Sequence, residues 1–238
     1  MAVGVVPGLV VGLREGIEAA LIIGIILAYL TKIDRKPLRK YVYMGTLAAV
    51  GASLVAALLF ALLIGEFEGT AEQMFEGVAA ILAVVVLTSM ILWMMTAAKD
   101  IRKHVEQRID VLVDRRQVLG LSSLAFIAVF REGVETVLFA AGLAGVTTQA
   151  DLVVGIGIGL LVAAFLGFGL YAASWKIDLR RFFQGTSFLL VIIAAGLFAF
   201  GVHELQEAGV LPWLSGEVYN LKAVFPDGQT NPAGYILR

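Results

Sequence analysis

Leu13-Arg14-Glu15-Gly16-Ile17-Glu18 interrupts a run of apolar residues that extends over 3–30. The same arrangement returns 117 positions later as Phe130-Arg131-Glu132-Gly133-Val134-Glu135, inside a second apolar run at 118–146. A weaker echo, Phe75-Glu76-Gly77 against Phe183-Gln184-Gly185, has an offset of 108. Self-similarity at a long, nearly constant period marks a duplicated structural unit.

Outside the two motif segments, apolar runs occupy 41–64, 77–98, 152–175 and 185–202. With about 20 apolar residues needed for each crossing of a bilayer, the six runs read as six membrane-spanning helices. The composition agrees: 60% of the 238 residues are hydrophobic, 16% are charged and the mean hydropathy is +0.91. A water-soluble domain cannot solvate such a surface. The expected fold class is therefore an all-α polytopic membrane protein. It has one transmembrane domain over 1–202, in which repeat one covers 1–98 and repeat two 118–202, and an extracytoplasmic C-terminal segment at 203–238. Each repeat holds three helices, and because three is odd the second enters the membrane from the opposite side. Inverted repeats of this kind build a central site at their interface.

The composition also excludes several kinds of chemistry. What lies between the spans is too short for a second, soluble catalytic domain. Cysteine is absent and histidine occurs twice, which rules out disulfides and thiolate metal sites and leaves oxygen as the main ligand type. No basic residue precedes Arg14, and Arg14-Glu15 breaks the apolar run that a cleavable signal needs, so the first span is expected in the mature protein.

Charge sets the expected orientation. Of the 18 basic residues, 14 fall in the connections at 31–40, 99–117 and 176–183, and none in 65–76 or 147–151. Cytoplasmic loops carry the excess of Lys and Arg. Those three connections are thus predicted to face the cytoplasm, with the N-terminus outside, in the cell (plasma) membrane. The inner side then carries +8 and the outer side −7, with Glu66, Glu68, Glu72 and Glu76 forming an acidic run that concentrates cations.

Six charged groups remain within the spans: Arg14, Glu15, Glu18, Arg131, Glu132 and Glu135. Facing lipid, each costs roughly 2.5–3.5 kcal/mol and the six together on the order of 15–20, more than most folds can bear. They are predicted to face the protein interior. Helical geometry puts Glu15 and Glu18 about 60° apart and Arg14 and Glu18 about 40° apart, so each motif presents two carboxylates and a guanidinium on one side. Gly12, Gly16, Ala20, Gly24 and Ala28 form an opposite stripe where another helix can approach closely. Simple Arg–Glu neutralisation would account for Glu18 and Glu135 but leaves Glu15 and Glu132 over. A buried formal charge of −2 suits a cation, and carboxylate oxygens suit hard or borderline metals.

At these residues the chain resembles the iron permease family, the oxidase-coupled permeases and their bacterial and archaeal relatives, whose mark is Arg-Glu-x-x-Glu in the first and fourth membrane helices. The likeness extends to Phe75-Glu76-Gly77 and to the stretch from Gly201 to Gly209. It implies iron transport into the cell, with Glu15, Glu18, Glu132 and Glu135 as metal ligands and Arg14 and Arg131 supporting them. It also implies an oxidase or another extracytoplasmic iron-handling protein as partner. No cofactor is implied, iron being the cargo, and no nucleic-acid partner. Members usually carry a seventh membrane helix, whereas 203–238 holds only short apolar pieces broken by Pro212, Gly216, Pro226, Gly228 and Pro232.

Other residues divide between ligand and bland roles. His203, Glu204 and Glu207, after span six, are candidates to receive a metal on its way in. Glu76 either caps helix three or belongs to that receiving site. His104 reads as a surface residue, and Met90, Met94 and Met95 as packing. Gly155, Gly159, Ala163 and Gly167 mark a helix contact, within the monomer or between protomers of a homo-oligomer. The ligand set alone does not separate iron from Mn2+ or Pb2+. A membrane di-iron enzyme would normally add Glu-x-x-His motifs, which neither membrane motif has. A purely structural scaffold would tolerate joint apolar replacement of each Arg–Glu pair.

Overall fold

A computed structural model describes residues 4–64, 69–97, 101–114, 118–172 and 179–211. Among these residues the chain is wholly helical: α1 (Val5–Lys32), a 3-10 turn (Lys36–Leu38), α2 (Arg39–Ile64), α3 (Thr70–Ala97), α4 (Ile101–Asp114), α5 (Val118–Leu143), α6 (Gln149–Ala172) and α7 (Leu179–Glu207). Four of the helices, α2, α3, α6 and α7, are long and apolar enough to cross a membrane. The 28-residue α1 and the 26-residue α5 match them in length, but each carries one Arg and two Glu within its apolar run.

The helices pair across the two halves of the chain. The most extensive packing is α1 on α6, then α2 on α5, then α3 on α7. Absent side chains explain the first pair. A Cβ at Gly16 would come 2.6 Å from the Ala163 Cβ, one at Gly12 2.5 Å from the Ile156 carbonyl oxygen, and one at Gly159 2.5 Å from the Leu13 nitrogen. The small-residue stripes of spans one and five therefore face each other within one chain, which settles the contact that the sequence left open. The stripe is not used throughout, since among the described residues nothing lies within 4 Å of a Cβ built at Gly24.

The α2–α5 crossing repeats the pattern. Gly133 meets Ser53 as Gly16 meets Ala163, and Gly45 meets the Ser122 carbonyl as Gly155 meets the Val5 carbonyl. Residues 117 apart on α1 and α5 are thus matched with residues 110 apart on α2 and α6.

One helix departs from the sequence reading. The basic connection at 99–117, expected as a loop, contains α4, into which residue 104 falls. Its Ile109 is fully buried with Ile26, Leu27 and Leu30 of α1, Val42 of α2, and Leu121 and Ala125 of α5. The Tyr29 hydroxyl donates to the Asp110 carboxylate at 2.5 Å, holding α4 against α1. Met90 lies in the other buried cluster, with Val10, Val11, Phe139 and Leu190, in the packing role expected of it. Glu66 and Glu68, the side chains of Met94, Met95 and His104, and everything after residue 211 lie outside the described residues.

Candidate metal site

The two charged motifs meet where α1 and α5 pack together. Neither motif contains a helix breaker other than glycine, and the glycine in each is where the neighbouring helix comes close. That contact turns the opposite, charged face of each helix toward the other. Arg14, Glu15, Glu18 and Glu132 are buried and Glu135 is partly so. One carboxylate oxygen from each of Glu15, Glu132 and Glu135 lies within 4.8 Å of the other two. Both oxygens of Glu15 and both of Glu132 are buried without a hydrogen-bond donor.

Ion pairs frame this triplet. Arg14 Nε lies 3.3 Å from Glu18 Oε1, and Arg14 Nη1 3.9 Å from Glu15 Oε1. In the second motif Arg131 Nε lies 3.1 Å from Glu135 Oε1 and 3.3 Å from Glu132 Oε1. Each guanidinium thus holds the two acids of its own motif, while acids of both motifs converge on one point. Glu18, expected as a fourth ligand, stands outside the close triplet and is held by Arg14. Three oxygens gathered at this spacing, with part of their bonding capacity unused, suit an oxygen-preferring cation, since buried polar atoms are seldom left unsatisfied.

The other expected residues lie elsewhere, at the far ends of α3 and α7. His203 Nε2 is 3.2 Å from Glu207 Oε1, and Gln73 Nε2 donates to Glu207 Oε2 at 2.9 Å, tying the two helices together. The Glu76 carboxylate lies against Gly145, where a Cβ would come 2.6 Å from it. Glu76 and Glu72 are near enough to Glu204 for their charges to interact. The sequence reading missed Gln73, Tyr29 and Asp110. Their only signal was a polar group one or two turns from an expected ligand or on an amphipathic segment.

The family model of the Iron permease FTR1 family matches residues 5–228. The chain belongs to the iron permease family. It is 34% identical over 225 residues to the ferrous iron permease EfeU of Escherichia coli O6:H1, covering 92% of this chain and 80% of that protein. The ferrous iron permease EfeU of Yersinia pestis is 34% identical over 199 residues, covering 83% of this chain and 71% of that one. An uncharacterized protein of Archaeoglobus fulgidus is 39% identical over 217 residues, covering 90% and 76%. No solved structure matches the chain. The family and the two EfeU relatives are iron permeases by name, in keeping with apolar helices able to span a bilayer.

Proposed function

We propose that the protein carries ferrous iron into the cytoplasm and that Glu15, Glu132 and Glu135 bind the ion midway, with Glu18 completing the ligand set when Arg14 releases it. The observation that carries this reading is the convergence of three carboxylates within 4.8 Å, two of them with both oxygens buried and accepting no hydrogen bond. Four Glu and two Arg amount to −2, which a divalent ion neutralises, and the relatives named above are ferrous permeases.

In this reading α1, α2, α3, α5, α6 and α7 all cross the membrane as two inverted three-helix repeats. The matched crossings of Gly16 with Ala163 and Gly133 with Ser53 support it, because a two-fold relation requires each inter-repeat contact to occur twice. The excess of Lys and Arg in the connections after α1, α3 and α6 supports a cytoplasmic position for those and an N-terminus outside the plasma membrane. The carboxylates and His203 at the outer ends of α3 and α7 then receive the ion. No resident cofactor is needed, and an extracytoplasmic oxidase or iron-binding protein is the class of partner that would deliver iron there.

The test is uptake of radioactive iron into proteoliposomes, with ferrous and ferric iron supplied separately, for the wild type, Glu15→Ala and Glu132→Ala. Loss of ferrous uptake in both variants is expected. Unchanged uptake in both would remove the central site, and stronger competition by Mn2+ than by iron would reassign the cargo.

A further inference from the structure

The two motifs are alike in sequence and unlike in exposure. Residues 117 apart pair Val10 with Ile127, Arg14 with Arg131 and Ile17 with Val134. On α1 the three side chains are 5, 0 and 4% exposed, and on α5 they are 64, 46 and 43% exposed. One face of the motif helix is therefore closed in the first repeat and open in the second.

The α3–α7 pair has the same imbalance. Gly142 of α5 packs on Ala79, Ala80 and Ala83 of α3, all buried. Of the positions on α7 that lie 108 further along, Phe188 and Val191 are exposed and Ser187 is half-buried. Gly77 packs on Gly201 and Leu205, whereas among the described residues its counterpart Gly185 has nothing within 4 Å of a Cβ. These α3 contacts lie at the end of the molecule that carries Glu76 and His203; at the α4 end the buried cluster of Ile26, Leu30, Ile109, Leu121 and Ala125 covers a different face of α5 from the one that carries Ile127. The open face of α5 runs the other way, from Arg131 through Ile127 and Ser123 into a groove of about 520 Å³ between α5 and α4, lined also by Gln107 and Arg108.

We infer that this structure is the inward-facing state of an alternating-access cycle, in which the carboxylate site is reached from the cytoplasmic side along the α5 face that carries Arg131. Two repeats of one sequence pattern can each adopt the packing seen in the other, so the outward-facing state exchanges the roles: Arg14 opens and Arg131 closes. The release path for the ion then begins at Glu135, the most exposed acid of the triplet, with the Arg131 guanidinium standing beside it. The inference rests on the transport reading for its purpose, but access to the two faces is measurable without iron.

The sequence has no cysteine, so single-cysteine variants report without background. Val10→Cys, Ile17→Cys, Ile127→Cys and Val134→Cys flank the two arginines without replacing any charged residue. In oriented proteoliposomes free of iron, a charged, membrane-impermeant thiol reagent is expected to modify positions 127 and 134 from the α4 side at least tenfold faster than 10 and 17. Ferrous iron is expected to shift reactivity toward 10 and 17 from the opposite side. Overturning results are equal rates at all four positions, or positions 127 and 134 that react only with a lipid-soluble maleimide, which would make the open face a lipid contact. The expected thiol pattern with no iron uptake would leave the access state standing and remove only the cargo.

Discussion

Arg14 and Arg131 occupy equivalent places in the two motifs, yet Arg14 is sealed from all surroundings while nearly half of the Arg131 side chain is accessible. In both motifs the guanidinium reaches the two acids of its own motif. The difference in burial should dominate the energetics. Taking Arg14 from its pairs leaves buried acids unpaired in low dielectric, on the order of 3–5 kcal/mol; Arg131 also faces the buried Glu132, but its own half-exposed guanidinium is screened by solvent, so its loss should cost less. Arg14→Ala is therefore expected to lower thermal stability in detergent more than Arg131→Ala. Equal melting temperatures for the two variants would contradict the asymmetry.

Metal binding should depend on the triplet more than on Glu18. Glu15→Gln, Glu132→Gln and Glu135→Gln each keep shape but remove a negative oxygen from the 4.8 Å cluster. Each is expected to weaken ferrous binding by about tenfold or more, comparable to the larger losses that follow damage around a metal site. Glu18→Gln, already engaged by Arg14, should weaken it less. Equilibrium titration of purified variants with ferrous iron under anaerobic conditions gives the comparison.

The glycine contact between α1 and α6 sets a steric prediction. At Gly16 any side chain would run into Ala163, while at Gly24 a Cβ meets nothing within 4 Å. Overpacking costs about 1–3 kcal/mol, so Gly16→Leu should destabilise by at least that amount and separate α1 from α6. Gly24→Ala, in a helix interior with free space, should be neutral or stabilise by up to about 1 kcal/mol. Melting curves of the two variants in one detergent distinguish them, and similar losses in both would place the α1–α6 contact elsewhere.

At the N-terminal end of α3, Glu207 joins α7 to α3 through Gln73 and also neighbours His203. If these residues receive the ion before the central carboxylates, His203→Ala should raise the iron concentration needed for half-maximal uptake and leave the maximal rate nearly unchanged. A fall in maximal rate alone would place His203 in the transport step instead of the capture step.

The docking of α4 gives a last stability test. Tyr29→Phe removes the hydroxyl that donates to Asp110 but keeps the ring, and a typical hydrogen bond contributes about 1 kcal/mol. A modest fall in melting temperature is expected, with proteolysis in the connection around α4 becoming faster. Ile109→Ala, which empties a fully buried position, should cost more, about 2–5 kcal/mol.

Much of this was legible in the chain because bilayers impose simple rules. Length and apolarity mark the helices, and the cost of charge in hydrocarbon singles out Arg14, Glu15, Glu18, Arg131, Glu132 and Glu135 before any coordinate is known. The paired stripes Gly12, Gly16 and Gly155, Gly159 were equally visible as close contacts. Such features are local or periodic, and periodicity survives in one dimension. What needed the folded chain was the matching of surfaces: that the α1 stripe meets α6, that Ile109 inserts among α1, α2 and α5, and that Glu18 turns to Arg14 while Glu15 joins Glu132 and Glu135. The unequal exposure of Arg14 and Arg131 is of the same kind. Their sequence surroundings are nearly identical, and the difference comes from how the neighbouring helices close over one repeat and leave the other open, a property of packing between segments far apart in the chain.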